Sequence, residues 1–212
     1  MERKLTTNQL KRMPSYLDLL RRLANDGIKY ISCQTIADCL SLNKEQVRKD
    51  IALVSQDVGV PNKGRKINDL IKDIEIVLGL NNDYCAVLIG VGSLGTALLN
   101  YGGFTNYGLK IIAAFDNKVE LINKEVNGIK VYDINYLKDY IADENIHIGI
   151  ITVPRDYAQD VADLLVEAGI EAIWNFAPVS LVVKEGVIVS NMDMAQSLAT
   201  LSHKLYLKQN RG

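Results

Sequence analysis

The stretch from Ala86 to Asp116 restricts the folds open to this chain more than any other. Ala86 to Ile89 is an apolar run that reads as a buried strand. Gly90, Gly92 and Gly95 follow at G-x-G-x-x-G spacing, with Val91, Ser93 and Leu94 between them. A helical pattern runs from Leu94 to about Tyr101. A second apolar run, Leu109 to Phe115, ends in Asp116, 21 residues after Gly95. Strand, glycine turn, helix, strand and acid in this order are what a dinucleotide-binding unit requires. Gly90 permits the tight turn, Gly92 has no side chain to hold the backbone away from a pyrophosphate, and Gly95 lets the helix lie close to the strand. A carboxylate at Asp116 would accept hydrogen bonds from a ribose diol and repel a 2′-phosphate, favouring NAD(H) over NADP(H). Lys118, two residues on, carries the opposite charge. A glycine turn closing a ligand-free βαβ unit is the alternative, and the flanking strands and the acid argue against it.

The chain beyond Asp116 continues the alternation. Lys118 to Lys130 reads as a loop with a short helix, and Lys130-Val131-Tyr132 as a short strand. A helix follows from Asn135 to Ala142, then a strand over His147–Val153 stopped by Pro154. A helix over Arg155–Ala168 is stopped by Gly169, and strands lie at Ala172–Asn175 and Val187–Val189. Alternating elements predict a parallel sheet with helices on both faces and ligands at the carboxyl ends of the strands. Thr152, Val153 and Pro154, and Asn175 and Phe176, occupy those ends and are candidates for the wall of the site. Met192 to about Leu207 reads as a C-terminal helix. Its stripe of Met194, Leu198, Leu201 and Leu205 either packs on its own sheet or meets a partner subunit.

Residues 1–80 carry 14 Lys and Arg against 10 Asp and Glu, whereas residues 81–212 carry 10 against 15. A basic first part on an acidic body suggests a polyanion partner. Met13-Pro14-Ser15 opens a helix ended by Asn25-Asp26-Gly27, and Ile28–Ile31 is a short apolar link. Ser32 can cap a helix from Cys33 to Leu40. Asn43 with Gln46 fits a capping box for a helix from Lys44 to Val54 that buries Val47, Ile51 and Val54. Two short helices joined by a tight turn make a helix-turn-helix, whose second helix would present Gln46, Arg48 and Lys49 to a major groove. Gly59 to Lys66 reads as a turn with Lys63, Arg65 and Lys66 at its tip, as in the wing of a winged helix. A helix from Ile67 to Leu78, stopped by Gly79, closes this part. A helical dimerisation domain with solvated charges is the alternative.

No apolar run reaches the length of a membrane span and no signal region opens the chain, so a cytoplasmic location is expected. Cys33, Cys39 and Cys85 form no CxxC, and His147 and His203 lack partners at ligand spacing, so no metal is expected. Only about twenty residues follow the last strand, too few for a substrate domain, and no Tyr-x-x-x-Lys pair occurs. A binding module is favoured over an enzyme. A small NAD-dependent oxidoreductase is the runner-up, and a thiol sensor using Cys33 and Cys39 a third possibility.

Specific stretches then match one family. They include Lys11-Arg12-Met13-Pro14 with Tyr16, Ile31-Ser32, Val47-Arg48-Lys49-Asp50, Gly90–Gly95 with Ala97–Tyr101, and Ala113–Asp116. Further matches are Ile151–Pro154 with Ala158-Gln159, Ala168-Gly169-Ile170, Asn175-Phe176-Ala177-Pro178 and Asn191-Met192-Asp193. Across nearly its whole length the chain resembles the Rex family of redox-sensing transcriptional repressors. The resemblance implies an α/β protein with a winged helix-turn-helix domain over 1–80, a Rossmann-type NAD(H)-binding domain over 81–191 and a domain-swapped dimerisation helix over 192–212. It implies a homodimer that holds double-stranded operator DNA through Ser32, Gln46, Arg48, Lys49 and the wing cations, and releases it on binding NADH. By matching position, Phe176 would approach the nicotinamide, and Arg12, Tyr101 and Asp193 would form a redox-responsive polar network. The chain departs from the family in its wing segment, Ser55–Ile67, which lacks the usual aromatics, and at Ser93, where Asn is usual.

Overall fold

The computed structural model describes residues 5–55, 57, 59–61 and 63–210. The chain divides into two compact units, Met1–Asn82 and Asp83–Gly212.

The first unit is helical. A capping box between Thr6 and Gln9 opens α1 (Thr7–Leu10), and Pro14 sits in the first turn of α2 (Met13–Asn25). Ser32 accepts a hydrogen bond from Thr35 N–H and caps α3 (Cys33–Leu40). Ser41, in the left-handed conformation, starts the turn into α4 (Lys44–Val54). Last comes α5 (Ile67–Leu78), stopped by Gly79 at φ +68°. Met13, Tyr16, Leu17 and Leu20 of α2 pack with Ile36 of α3, Val47 and Ile51 of α4, and Leu70 and Ile74 of α5. The link before α3 is a strand: β1 (Tyr30–Ile31) pairs antiparallel with β2 (Arg65–Lys66), Tyr30 opposite Lys66. Two residues are too few to show alternation, which is why sequence pattern alone read a connector there. The strand pair anchors the basic turn beside a helix-turn-helix and makes it a wing. Gln56, Val58 and Asn62 of the expected wing segment lie outside the described residues.

The second unit is built on β3 (Tyr84–Ile89), α6 (Ser93–Leu99), β4 (Leu109–Asp116), β5 (Glu125–Val126), β6 (Ile129–Asp133), α7 (Leu137–Asp143), β7 (Ile146–Ile151), α8 (Ala158–Glu167), β8 (Ala172–Asn175), β9 (Ile188–Asn191) and α9 (Met194–Gln209). The sheet order is β5-β6-β4-β3-β7-β8-β9, parallel except for β5. Numbered along the chain, its parallel strands run 3-2-1-4-5-6, the dinucleotide-fold order, with the switch point between β3 and β7. β3 is buried on both faces: Val87 and Ile89 pack in the core containing α7 and α8, and Ala86 and Leu88 in the core containing Leu99 of α6. This explains its unbroken apolar run.

Several element ends shift by a few residues, as where α8 starts at Ala158 rather than Arg155, and two stretches and one open alternative bear on the site. The first helix after the glycine turn ends at Leu99, and residues 102–107 form a separate 3-10 turn. The Lys118–Lys130 loop carries no α-helix; it ends in the β5–β6 hairpin, turned by Asn127 and Gly128 at positive φ. The C-terminal helix has no buried residue. Its stripe does not pack on its own sheet, with Met194, Leu198 and Leu201 each 63% exposed and Leu205 52%. Among the described residues no helix is long and apolar enough to cross a membrane, and no cluster of three ligand-type side chains could hold a metal.

Candidate dinucleotide site and nucleic-acid interface

The turn after β3 is pressed against the end of β7. Gly90 has φ +99°, and a side chain there would meet Val153 Cγ1 at 2.8 Å and Thr152 C at 3.0 Å. A Cβ on Gly95 would lie 2.0 Å from the Gly90 carbonyl oxygen, so only glycine lets α6 close on the turn. Just past the end of β7, the Thr152 hydroxyl is shared as donor between Ile89 O (3.0 Å) and Gly90 O (2.7 Å). At Gly92 nothing lies within 4 Å of an added Cβ. The middle glycine therefore faces open space at the start of α6, where backbone N–H groups point out of the helix. A tight first glycine, an open second and a crowded third are what a pyrophosphate cradle needs, and these residues fit a dinucleotide. Of the side chains between them, Ser93 is exposed, Leu94 half-buried and Val91 buried in the core.

Asp116 ends β4 beside this turn and is 8% exposed. Its Oδ2 accepts from Val91 N–H at 2.7 Å and its Oδ1 from Lys118 N–H at 2.9 Å. Both oxygens that the motif assigns to a ribose are engaged by the protein's own backbone.

Asn175 likewise does not present its side chain to a ligand. It is fully buried; its amide donates to Ala177 O (3.3 Å), Val179 O (2.7 Å) and Asn191 Oδ1 (2.8 Å), and its oxygen accepts from Ala177 N–H (2.9 Å). It shapes the loop that carries Phe176, which is half-buried with its ring 4.7 Å from Trp174. Trp174 meets Phe104 at 5.5 Å, and Phe104 meets Tyr101 at 4.9 Å, each edge to face. An unbroken line of rings thus joins Phe176 to Tyr101, which is itself 57% exposed. Val153 is half-buried and Pro154 exposed at the end of β7. Asp193 caps α9, accepting from Gln196 N–H at 3.0 Å.

Arg12, expected in a network with Tyr101 and Asp193, is held within the first unit. Its Nε and Nη2 donate to the two oxygens of Asp50 on α4 at 2.7 and 2.9 Å. Asp50 also accepts from Tyr16 OH at 2.8 Å and Gln9 Nε2 at 3.2 Å. Burial alone would raise the Asp50 carboxyl; the bonds from Arg12, Tyr16 and Gln9 outweigh it and hold it below the ordinary carboxylate range. Burial, then the hydrogen bond to Asp50, pushes the Tyr16 phenol up to about 12. Gln46 makes no capping box. With its amide oxygen toward Arg12 it accepts from Nε (3.2 Å) and Nη1 (3.0 Å), and Asn43 alone caps α4. Sequence pattern did not single out Asp50, yet the signal was there: an acid three residues after Val47 lies on the buried face of an amphipathic helix.

Of the other candidate DNA-contacting residues, Arg48 and Lys49 are exposed on α4, with Arg48 paired to Glu45 at 2.9 Å. The Ser32 hydroxyl caps α3 and bonds the Thr35 hydroxyl at 2.9 Å. Lys66 is exposed on β2, and Lys63 is exposed with its ammonium 6.0 Å from the Tyr30 ring. Arg65 is half-buried, and its Nη1 is buried with no acceptor.

Residues 81–179 match the family described as "CoA binding domain" and residues 5–52 the family described as "Putative DNA-binding protein N-terminus". A winged helix-turn-helix and a Rossmann nucleotide fold in one chain define a DNA-binding regulator that carries a nucleotide-binding domain. The chain is 41% identical over 200 residues to the redox-sensing transcriptional repressor Rex of Treponema denticola, covering 94% of this chain and 95% of the relative, and 38% identical over 193 residues to that of Clostridium botulinum, covering 91% of each. The structure of RSP with β-NAD⁺ and operator DNA superposes with a TM-score of 0.89 at 32% identity, covering 99% of both chains; that of RSP with β-NADH gives 0.85 over 97% of this chain and 96% of the other. The chain belongs to the Rex family of redox-sensing transcriptional repressors.

Proposed function

We propose that this chain holds operator DNA through α4 and the β1–β2 wing, and releases it when NADH replaces NAD⁺ in the crevice between β3 and β7. The observation that carries the reading is the pairing of an open glycine turn at the sheet's switch point with an exposed, basic second helix of a helix-turn-helix in the other unit. Arg48 and Lys49 are exposed α4 cations that reach a groove, Arg48 on leaving its exposed pair with Glu45, with Lys63 and Lys66 on phosphates. Gly90, Gly92 and Gly95 frame the pyrophosphate; Val153, Pro154 and Phe176 wall the nicotinamide end. An apolar ring beside the nicotinamide favours the neutral reduced form over the charged oxidised one, and a difference in affinity between the DNA-bound and DNA-free states is all that switching requires.

The functional parts are residues 1–80, 81–191 and 192–212, with the α9 stripe covered by a second copy to make a homodimer. The exposure of Met194, Leu198, Leu201 and Leu205 supports this. Arg12 of the first unit would share its guanidinium between Asp50 and a carboxylate of the nucleotide-bound dimer, with Asp193 the candidate by matching position. The protein is a sensor and not an oxidoreductase. The test is a titration of operator binding with NAD⁺ and NADH. NADH should weaken binding at least about tenfold more than NAD⁺ does, a differential of about 1.4 kcal/mol. Equal effects of the two would sink the redox reading, and steady oxidation of NADH with a carbonyl substrate would restore the enzyme.

A further inference from the structure

The second helix of a helix-turn-helix reads base edges mainly from its first turn. In α4 that turn is capped by Asn43, and its third residue is Gln46. Gln46 is half-buried, one turn before exposed Lys49 and buried Asp50. Arg12, at the start of α2, holds Gln46 and Asp50 together. Its guanidinium donates to the Asp50 carboxylate and to the Gln46 amide oxygen, the latter from Nη1 at 3.0 Å and Nε at 3.2 Å. A guanidinium has donors only, so the end of the amide that faces it must be the oxygen. Both lone pairs of that oxygen are then used. The amide NH2 group lies on the opposite side and has no partner among the described residues. The buried side-chain nitrogens and oxygens without a partner among those residues are Arg65 Nη1 and His147 Nδ1, so the outer end of Gln46 is open to solvent.

We propose that Gln46 is a specificity-determining residue that reads the operator as a donor only, its polarity set by Arg12. The inference rests on placing α4 in the major groove. A free glutamine pairs with adenine through both ends of its amide, accepting from N6 and donating to N7. With its oxygen held by Arg12, Gln46 offers two N–H donors and no acceptor. Guanine, with O6 and N7 side by side, or thymine, with O4, matches that edge. The amino groups of adenine and cytosine instead set donor against donor. Arg12 thus ties α4 to α2 and also fixes which base edge Gln46 can meet.

Selection of duplexes from a random-sequence pool tests this, with the full chain and its Gln46→Ala and Gln46→Glu forms, each with NAD⁺. Anisotropy titrations then give Kd for each base pair at the positions that differ. The unaltered chain should discriminate at one such position by about fivefold or more, and Gln46→Ala should reduce this below about twofold. Gln46→Glu keeps an oxygen on Arg12 but turns an acceptor outward, so it should invert the preferred pair, G·C to C·G or T·A to A·T. Arg12→Met combined with Asp50→Leu frees the amide and should move the preference to adenine. An unchanged preference in Gln46→Ala overturns the proposal while leaving α4 in the groove. The same preferred pair in Gln46→Glu overturns the donor polarity, and an unchanged preference in the double variant overturns the part given to Arg12. Failure of the unaltered chain to select any sequence would overturn the placing of α4 itself.

Discussion

Asp50→Ala tests the network that ties α2 to α4. The Asp50 side chain is 2% exposed and accepts hydrogen bonds from three side chains, two of them from Arg12. Its removal leaves the Tyr16 hydroxyl buried without that acceptor, a loss of about 1–3 kcal/mol. It also leaves the Arg12 guanidinium unpaired. Breaking a buried ion pair from one side costs about 3–5 kcal/mol, but the Arg12 side chain is 22% exposed and water recovers part of this. The expected loss is about 3 kcal/mol, which at an m-value of about 1–1.5 kcal/mol/M lowers the urea midpoint of the first unit by about 2–3 M. Far-UV circular dichroism reports both units and the fluorescence of Trp174, the one tryptophan, the second, so a circular-dichroism transition without a Trp174 change isolates the first. Asp50→Leu combined with Arg12→Met should recover at least half of the loss, because an apolar pair carries no buried unpaired charge. A single-variant loss below about 1 kcal/mol would refute the reasoning, since a buried carboxylate with these partners cannot be that cheap to delete. So would a double variant as unstable as Asp50→Ala. The pH dependence gives a further check. The folded carboxyl lies below its ordinary value, so its contribution is complete above about pH 4 and is lost as pH falls through the folded value. Asp50→Asn should flatten that acid limb.

Tyr16 acts on the alkaline side. Its phenol is raised from 10.0 to about 12, so the fold favours the protonated form. Its contribution is complete below about pH 10 and lost between about 10 and 12, about 2–3 kcal/mol in all, and Tyr16→Phe should remove that slope from an alkaline denaturation series. Arg48→Ala should weaken operator binding at every salt concentration, and equal affinities across a salt series would remove α4 from the groove. Deleting residues 192–212 should yield monomers in light scattering, because the deleted helix carries the exposed stripe; a dimeric mass would place the subunit contact elsewhere. With Phe176 beside the nicotinamide, the adjoining Trp174 should be quenched by NADH with energy transfer to the bound nucleotide, and unchanged emission at saturating NADH would move the nicotinamide away from Phe176.

Much of the second unit is legible in sequence because its determinants are local. The glycine turn, the apolar run of β3 and the acid at the end of β4 span about thirty residues, and each works through backbone geometry that spacing alone reveals. The wing was half legible: its cations form a run, but the strand that anchors it is two residues long and 34 positions upstream of its partner. The α9 stripe was legible as a pattern, but a stripe does not name what covers it, and the exposure of all four side chains excludes only the sheet of the same chain.

The acids separate what spacing can say from what it cannot. Motif spacing places Asp116 at the end of the second strand; it does not say which way the oxygens turn. That is settled by Val91 N–H, 25 positions earlier, at hydrogen-bond distance once β3 and β4 lie side by side. A backbone donor that close to a carboxylate of 8% exposure competes with any ribose hydroxyl, because a buried N–H left without an acceptor costs about 1–3 kcal/mol. A ribose must therefore share the carboxylate with the backbone rather than displace it. Asp50 shows the same dependence across 38 positions, taking the Arg12 N–H groups that matching position alone would assign to a partner carboxylate. If Arg12 takes a new carboxylate when nucleotide binds, it must share the guanidinium or leave Asp50 buried with only Tyr16 and Gln9. The second course costs about 3–5 kcal/mol, against the about 5.5 kcal/mol of differential nucleotide affinity that a near-complete switch demands. Sharing, through the partly exposed side of Arg12, is the cheaper course, and it keeps α4 anchored to α2 in both states.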